Sequence, residues 1–245
     1  MSDFSHEPAR DRIIVALDCD RAEALRLAEL LSGRAKWLKV GMTLFYAEGP
    51  AIVSQLKALG FKVFLDLKFN DIPHQVKGAA ASATRSGADM LTMHASGGVP
   101  MMAAGQEGAR DAALSAELAE PITLAITVLT SMDQADLDDI GVARPLREQV
   151  CALAELARKA KLSGVVASPQ EASQLRAVLG PDACIVTPGV RPAGASLGDQ
   201  SRVATPAQAF LNGASHIVVG RPITQADDPA AAFEAIAEEL AGAGL

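Results

Sequence analysis

The chain has 245 residues, 49% of them hydrophobic and 21% charged, with 4% aromatic residues and a formal net charge of −7. A chain of this length buries a substantial core without disulfides or structural metal. Its acidic balance, with no Lys/Arg run, excludes the basic face that long nucleic acids and anionic membranes require, and the shortage of aromatic rings argues against a base-stacking platform. A small anionic ligand stays compatible, because a few fixed cations in a cleft outweigh a distant negative surface.

Residues 1–12 are polar and contain no apolar leader, and no stretch reaches about 18 apolar residues. Cys19, Cys151 and Cys184 lack metal-ligand spacing and fit small core residues in a reducing compartment. A cytoplasmic protein is expected, with a polar N-terminal segment (1–12) ahead of a single domain (13–245).

From Ile13 onward, eight β-like runs alternate with helical patterns: Ile13–Asp18, Trp37–Gly41, Val63–Lys68, Met90–His94, Ile122–Val128, Gly164–Ser168, Cys184–Thr187 and His216–Gly220. Most are nearly continuous apolar runs, as expected for parallel strands covered on both faces. Ile52, Leu56 and Leu59 mark one helical face; Leu153, Leu156, Ala157 and Ala160 mark another after Val150. Gly60, Gly87, Gly164 and Gly213 stand just before strands, where helix C-terminal stops belong. Thr130–Pro145 is the longest connection without a clear pattern and is a candidate lid after the fifth strand. Eight βα units with right-handed crossovers predict an α/β fold, a single (β/α)8 TIM barrel, with a doubly wound open sheet as the alternative.

In such a barrel, chemistry sits where the C-terminal strand ends meet the following loops. Those ends carry Asp18, Lys39, Asp66, Lys68, His94, Thr130, Arg191 and the pair Gly220–Arg221. Apolar strands ending in Asp or Lys place ionisable groups against a low-dielectric core, where each costs several kcal/mol unless paired. The densest element is Phe64-Leu-Asp-Leu-Lys-Phe-Asn-Asp-Ile-Pro73. Asp66 and Lys68 are two apart, so on a strand both point into the barrel. Asp71 follows in the loop, and Pro73 suits the first turn of a helix. With Lys39 on the neighbouring strand, two lysines and two aspartates alternate, which fixes charge before a ligand arrives.

A phosphate site is expected in Val186-Thr-Pro-Gly-Val-Arg-Pro192 and Val218-Val-Gly-Arg-Pro222, the loops after strands seven and eight. Arg191 and Arg221 supply bidentate charge, Gly220 permits close backbone approach, and Gln200 offers a further donor. His94 fits a structural histidine as well as a ligand, and His6, His74 and His216 share no metal spacing. No dinucleotide or Walker-type glycine loop is present, so no cofactor is expected.

Asp66-Leu-Lys-Phe-Asn-Asp-Ile-Pro73 resembles the signature of the orotidine 5′-monophosphate decarboxylase family, and the similarity extends over essentially the whole chain. It includes Val15-Ala-Leu-Asp18, Leu38-Lys-Val-Gly41, His94-Ala-Ser-Gly97, Leu129-Thr-Ser131, Thr187-Pro-Gly-Val-Arg-Pro192, Gly198-Asp-Gln200 and Val219-Gly-Arg-Pro222. The resemblance implies decarboxylation of orotidine 5′-monophosphate to uridine 5′-monophosphate without metal or other cofactor. It implies that Lys68 lies beside C6 of the pyrimidine and protonates it, with Lys39, Asp66 and Asp71 completing the charged array. It further implies a homodimer in which Asp71 reaches the partner's site. Asp18 and Lys39 are then expected at the ribose, Thr130 at the pyrimidine, and Gln200, Gly220 and Arg221 at the phosphate, with Arg191 in support.

Other readings are a magnesium-dependent sugar-phosphate lyase of similar fold, a catalytically silent nucleotide-binding barrel, and a Schiff-base lyase using Lys68 or Lys39. The first of these relatives places a glutamate near the end of strand two to help hold metal, where this chain has Lys39.

Overall fold

The computed structural model describes residue 4, residues 7–192 and residues 204–244. Eight parallel strands close on themselves in sequence order, β1 pairing with both β2 and β8, which excludes the open sheet. They are β1 (Ile13–Leu17), β2 (Trp37–Gly41), β3 (Lys62–Phe69), β4 (Met90–His94), β5 (Ile122–Ile126), β6 (Gly164–Val166), β7 (Cys184–Thr187) and β8 (His216–Val219). The surrounding helices are α1 (Arg21–Leu31), α2 (Met42–Glu48), α3 (Ala51–Ala58), α4 (Pro73–Arg85), α5 (Gly98–Ser115), α6 (Gln134–Asp139), α7 (Leu146–Lys159), α8 (Ala172–Leu179), α9 (Pro206–Leu211), α10 (Arg221–Thr224) and α11 (Pro229–Gly242). Among the described residues, no helix is long and apolar enough to cross a membrane.

Every residue of β1 and β2 is buried, because one face lines the barrel and the other meets helices. The register sorts the side chains into layers. Ile14 lies opposite Trp37 and Val218, and Phe64 lies opposite Lys39 and Met90. Ile14, Trp37, Phe64, Met90, Leu124, Cys184, Val186 and Val218 form the packed interior. Outward residues such as Val15, Leu38 and Val63 pack with Leu27, Ile52 and Leu56 of the helices. Each such side chain contributes roughly 1.5–3 kcal/mol through burial.

Helix starts follow the local sequence. Asp20, Thr205 and Asp228 accept hydrogen bonds from the backbone N–H three residues on, at the starts of α1, α9 and α11. Pro73 opens α4 as expected. Gly60, Gly87 and Gly213 adopt positive φ before strands, but Gly164 does not belong with them. The left-handed position after α7 is taken by Lys161 at φ 61°, and Gly164 instead lies within β6 against β7. Leu59 also departs from its expected face: it caps α3 and is 41% exposed. Within Thr130–Pro145, a short helix (α6) starts with a reciprocal capping box between Asp133 and Asp136. Six residues are too few to show a helical period.

The N-terminal end of the barrel is closed from inside. Phe4 packs edge-on to His216 at 5.2 Å between ring centroids, and Trp37 does the same at 5.6 Å. Burial, reinforced by the charges of Arg12, Lys36 and Lys62, pushes the His216 imidazole down to about 3.

Two outcomes follow from this packing. A Cβ on Gly164 would lie 1.8 Å from the carbonyl oxygen of Cys184, so Gly164→Ala is expected to destabilise by about 2–3 kcal/mol in thermal or urea unfolding. Because the folded His216 titrates below its unfolded value near 6.5, its contribution is complete above about pH 6.5 and is lost as pH falls toward 3. Urea unfolding between pH 6.5 and 4 should therefore show a stability slope of up to about 1.4 kcal/mol per pH unit that flattens in His216→Gln.

Candidate active site at the C-terminal strand ends

A cavity of about 450 Å³ opens at the C-terminal ends of the strands. Its floor is the apolar layer of Ala16, Phe64, Ile126, Val166 and Val218, and its walls carry Asp18, Lys39, Asp66, Lys68, Thr130, Arg191, Gly220 and Arg221. The size suits a nucleotide-sized ligand, since small-molecule sites commonly span roughly 300–1,000 Å³.

The charged groups form a continuous chain. Lys39 Nζ lies 2.9 Å from Asp18 Oδ1 and 3.8 Å from Asp66 Oδ2, and Lys68 Nζ lies 2.7 Å from Asp66 Oδ2. Asp66 and Lys39 are only 8% and 9% exposed, whereas the Asp18 side chain opens to solvent. Burial alone pushes the Asp66 carboxyl up. The charges of Lys39 and Lys68, with hydrogen bonds from Lys68 and Thr92, more than reverse this and hold it below the usual carboxylate range. Gly41 makes room for the outer pair: a Cβ there would lie 3.0 Å from Asp18 Oδ1 and 3.1 Å from Lys39 Nζ.

Lys68 reaches Asp66 from an irregular backbone. The β3–β4 register shifts between Leu65 and Phe69, and Lys68 adopts φ 53°. That left-handed conformation costs a lysine about 1–2 kcal/mol. The bulge still leaves Asp66 and Lys68 facing the same cavity, as strand alternation predicts.

Asp71 is not part of this chain of charges. It is exposed in the loop after β3, and its Oδ1 accepts a 2.6 Å hydrogen bond from the Ile72 backbone N–H. His94 is half-buried at the end of β4. Burial and then the charge of Lys68 push its imidazole down, against an opposing pull from Asp66.

At the far side of the cavity, Gly189 turns the chain after β7 at φ 77°, and Arg191 donates its backbone N–H to Ala204 O at 3.0 Å. Gly220 and Arg221 follow β8 at the start of α10. Gln200 lies outside the described residues. Among the described residues, no group of three or more His, Cys, Asp or Glu side chains converges on a point that could hold a metal ion.

Two contributors escape the motif reading. Thr92, fully buried in β4, bonds both Asp66 and the Lys68 backbone. Its only sequence signal is a hydroxyl residue at the inward position of Met90-Leu-Thr-Met-His94. Gln225 lines the cavity one turn beyond Arg221, and nothing in the sequence marks it.

A family model described as Orotidine 5′-phosphate decarboxylase / HUMPS family matches residues 11–236. The chain is 52% identical over 238 residues to orotidine 5′-phosphate decarboxylase of Halorhodospira halophila, covering 97% of this chain and 99% of that relative. It is 50% identical over 234 residues to that of Moorella thermoacetica, covering 95% and 93% respectively. A crystal structure of orotidine 5′-phosphate decarboxylase from Lactobacillus acidophilus matches with a TM-score of 0.83 at 38% identity, over 94% of this chain and 99% of that one. On its matched residues and its near-complete coverage by these relatives, the chain belongs to the orotidine 5′-phosphate decarboxylase / HUMPS family.

Proposed function

We propose that this protein is a carbon–carbon lyase that converts orotidine 5′-monophosphate to uridine 5′-monophosphate and carbon dioxide, the last step of de novo pyrimidine synthesis, without a cofactor. The observation that carries this reading is the Asp18–Lys39–Asp66–Lys68 chain of charges set on an apolar floor.

Loss of carbon dioxide from C6 leaves an electron pair in the plane of the pyrimidine, where the ring cannot delocalise it. The barrier is thus electrostatic, and fixed charge in a site closed to water is the effective remedy. Lys68 lies beside C6, stabilises the developing carbanion and delivers the proton. Asp66 holds the Lys68 ammonium in place at 2.7 Å, and Lys39 sets a second cation 3.8 Å from the same carboxylate oxygen. Asp66 acts by positioning charge for the transition state rather than by repelling the substrate carboxylate. Asp18 and Lys39 hold the ribose hydroxyls and Thr130 faces the pyrimidine. Gly220, Arg221 and Gln200 hold the phosphate, with Arg191 behind them. Free thiols at Cys19, Cys151 and Cys184 accord with a cytoplasmic location.

The family description also names a second branch, HUMPS, and a magnesium-dependent sugar-phosphate lyase of similar fold is the competing reading. Lys39 speaks against that branch here. Its ammonium stands between Asp18 and Asp66, in the space a divalent cation would need.

The same reading makes the protein a homodimer in which Asp71 completes the partner's site. Asp71 adjoins Ile72, which is 62% exposed, and Tyr46 after the neighbouring strand is 75% exposed. Large exposed side chains such as these fit a second copy of the chain.

Decarboxylation by protein exhaustively treated with EDTA is expected to run at the untreated rate, while Lys68→Ala loses about 10³-fold or more in kcat. A requirement for added magnesium would instead favour the sugar-phosphate branch. Separately inactive Lys68→Ala and Asp71→Ala chains, mixed and allowed to exchange, should regain about one quarter of the parent turnover, since half the dimers then carry one intact site. No recovery in chains shown to exchange would sink the shared site.

A further inference from the structure

Thr92 stands at the centre of a closed hydrogen-bonded loop. The Lys68 backbone N–H donates to Thr92 Oγ1 at 2.9 Å, Thr92 Oγ1 donates to Asp66 Oδ1 at 2.9 Å, and Lys68 Nζ donates to Asp66 Oδ2 at 2.7 Å. The direction of each bond is fixed by chemistry. A peptide N–H only donates and a carboxylate only accepts, so the single hydroxyl proton of Thr92 has to point at Asp66. Thr92 is fully buried, so water does not replace it.

The loop meets two needs at once. At the β3–β4 bulge the ladder register breaks, and the hydroxyl gives the Lys68 N–H the acceptor that the shifted strand does not provide. It also occupies Oδ1 of Asp66, leaving Oδ2 to both lysines and preventing rotation of the carboxylate. Backbone and ammonium of one lysine are thereby tied together through two other residues.

We propose that Thr92 is a positioning residue that holds Lys68, through its backbone and through Asp66, in the geometry required for proton delivery. The proposal rests on the reading of Lys68 as the group beside C6. Its pH signature concerns Asp66, which is faced by Lys39 and Lys68, with Asp18 beyond Lys39 and His94 acting at longer range. Removing the hydroxyl takes away one of the bonds that hold the Asp66 carboxyl down, so the acid limb of kcat moves to higher pH.

The test compares Thr92→Val, Thr92→Ala and Thr92→Ser with the parent in kcat, KM, the pH profile of kcat and melting temperature. Thr92→Val and Thr92→Ala are expected to lower kcat about 10- to 100-fold with KM within about threefold, and Thr92→Ser to restore most of the loss. The acid limb should shift upward in Thr92→Ala and return in Thr92→Ser. If the valine variant does not fold, the Ser and Ala variants, which differ by one hydroxyl, decide the matter. Parent-like kcat in a hydroxyl-free variant, or a serine variant as slow as alanine, overturns the positioning role while leaving the role of Lys68 intact. Full turnover in Lys68→Ala overturns the role of Lys68 and this inference with it.

Discussion

Asp66 carries a negative charge at the mouth of an apolar barrel, in a place where a carboxylate left alone would take up a proton. Its ionisation depends on two ammonium groups and one hydroxyl arriving from three different strands. The layered register delivers them. Lys39 lies on β2, Lys68 at the bulge of β3 and Thr92 on β4, all on the inward face. Breaking a buried pair of this kind by removing one partner typically costs about 3–5 kcal/mol, because the other charge is stranded. The site is therefore held by the same pairings that close the barrel.

The remaining features of the cavity can be understood as clearances around that charge. Gly41 leaves room for the Asp18–Lys39 pair, and the left-handed backbone at Lys68 turns the ammonium back toward Asp66. Strain at such a point persists only where neighbours over-determine it. The loops after β7 and β8 stand on the opposite wall, so the cavity has a cationic rim at one end and an alternating charge array at the other.

Much of this was legible in the residues. The near-continuous apolar runs located the eight strands to within a few residues, because parallel strands buried on both faces admit little else. The inward placement of Asp66 and Lys68 followed from strand alternation and survived the bulge. What escaped has physical reasons. Gly164 looked like a helix stop, yet the demand on it is the approach of β7, which no local pattern encodes. Lys161 took the left-handed position that glycine usually fills, so the true end of α7 carried no mark. The short α6 depends on one capping box rather than on periodicity. Thr92 reads as an ordinary strand residue until its two partners, 24 and 26 positions away, are brought beside it. Exposure of Asp71 is likewise a property of the loop's path and not of its motif.

The closed floor of the barrel bears on how the chain is made. Phe4 leaves the ribosome ahead of β1, but His216, the ring it packs against, lies on β8. The seam between β1 and β8 has the same separation in time. Early strands can pair with their successors as they emerge, whereas the floor and the seam have to wait for β8. Until then the strands already made have two unpaired edges, and Phe4 lacks the His216 ring it packs against.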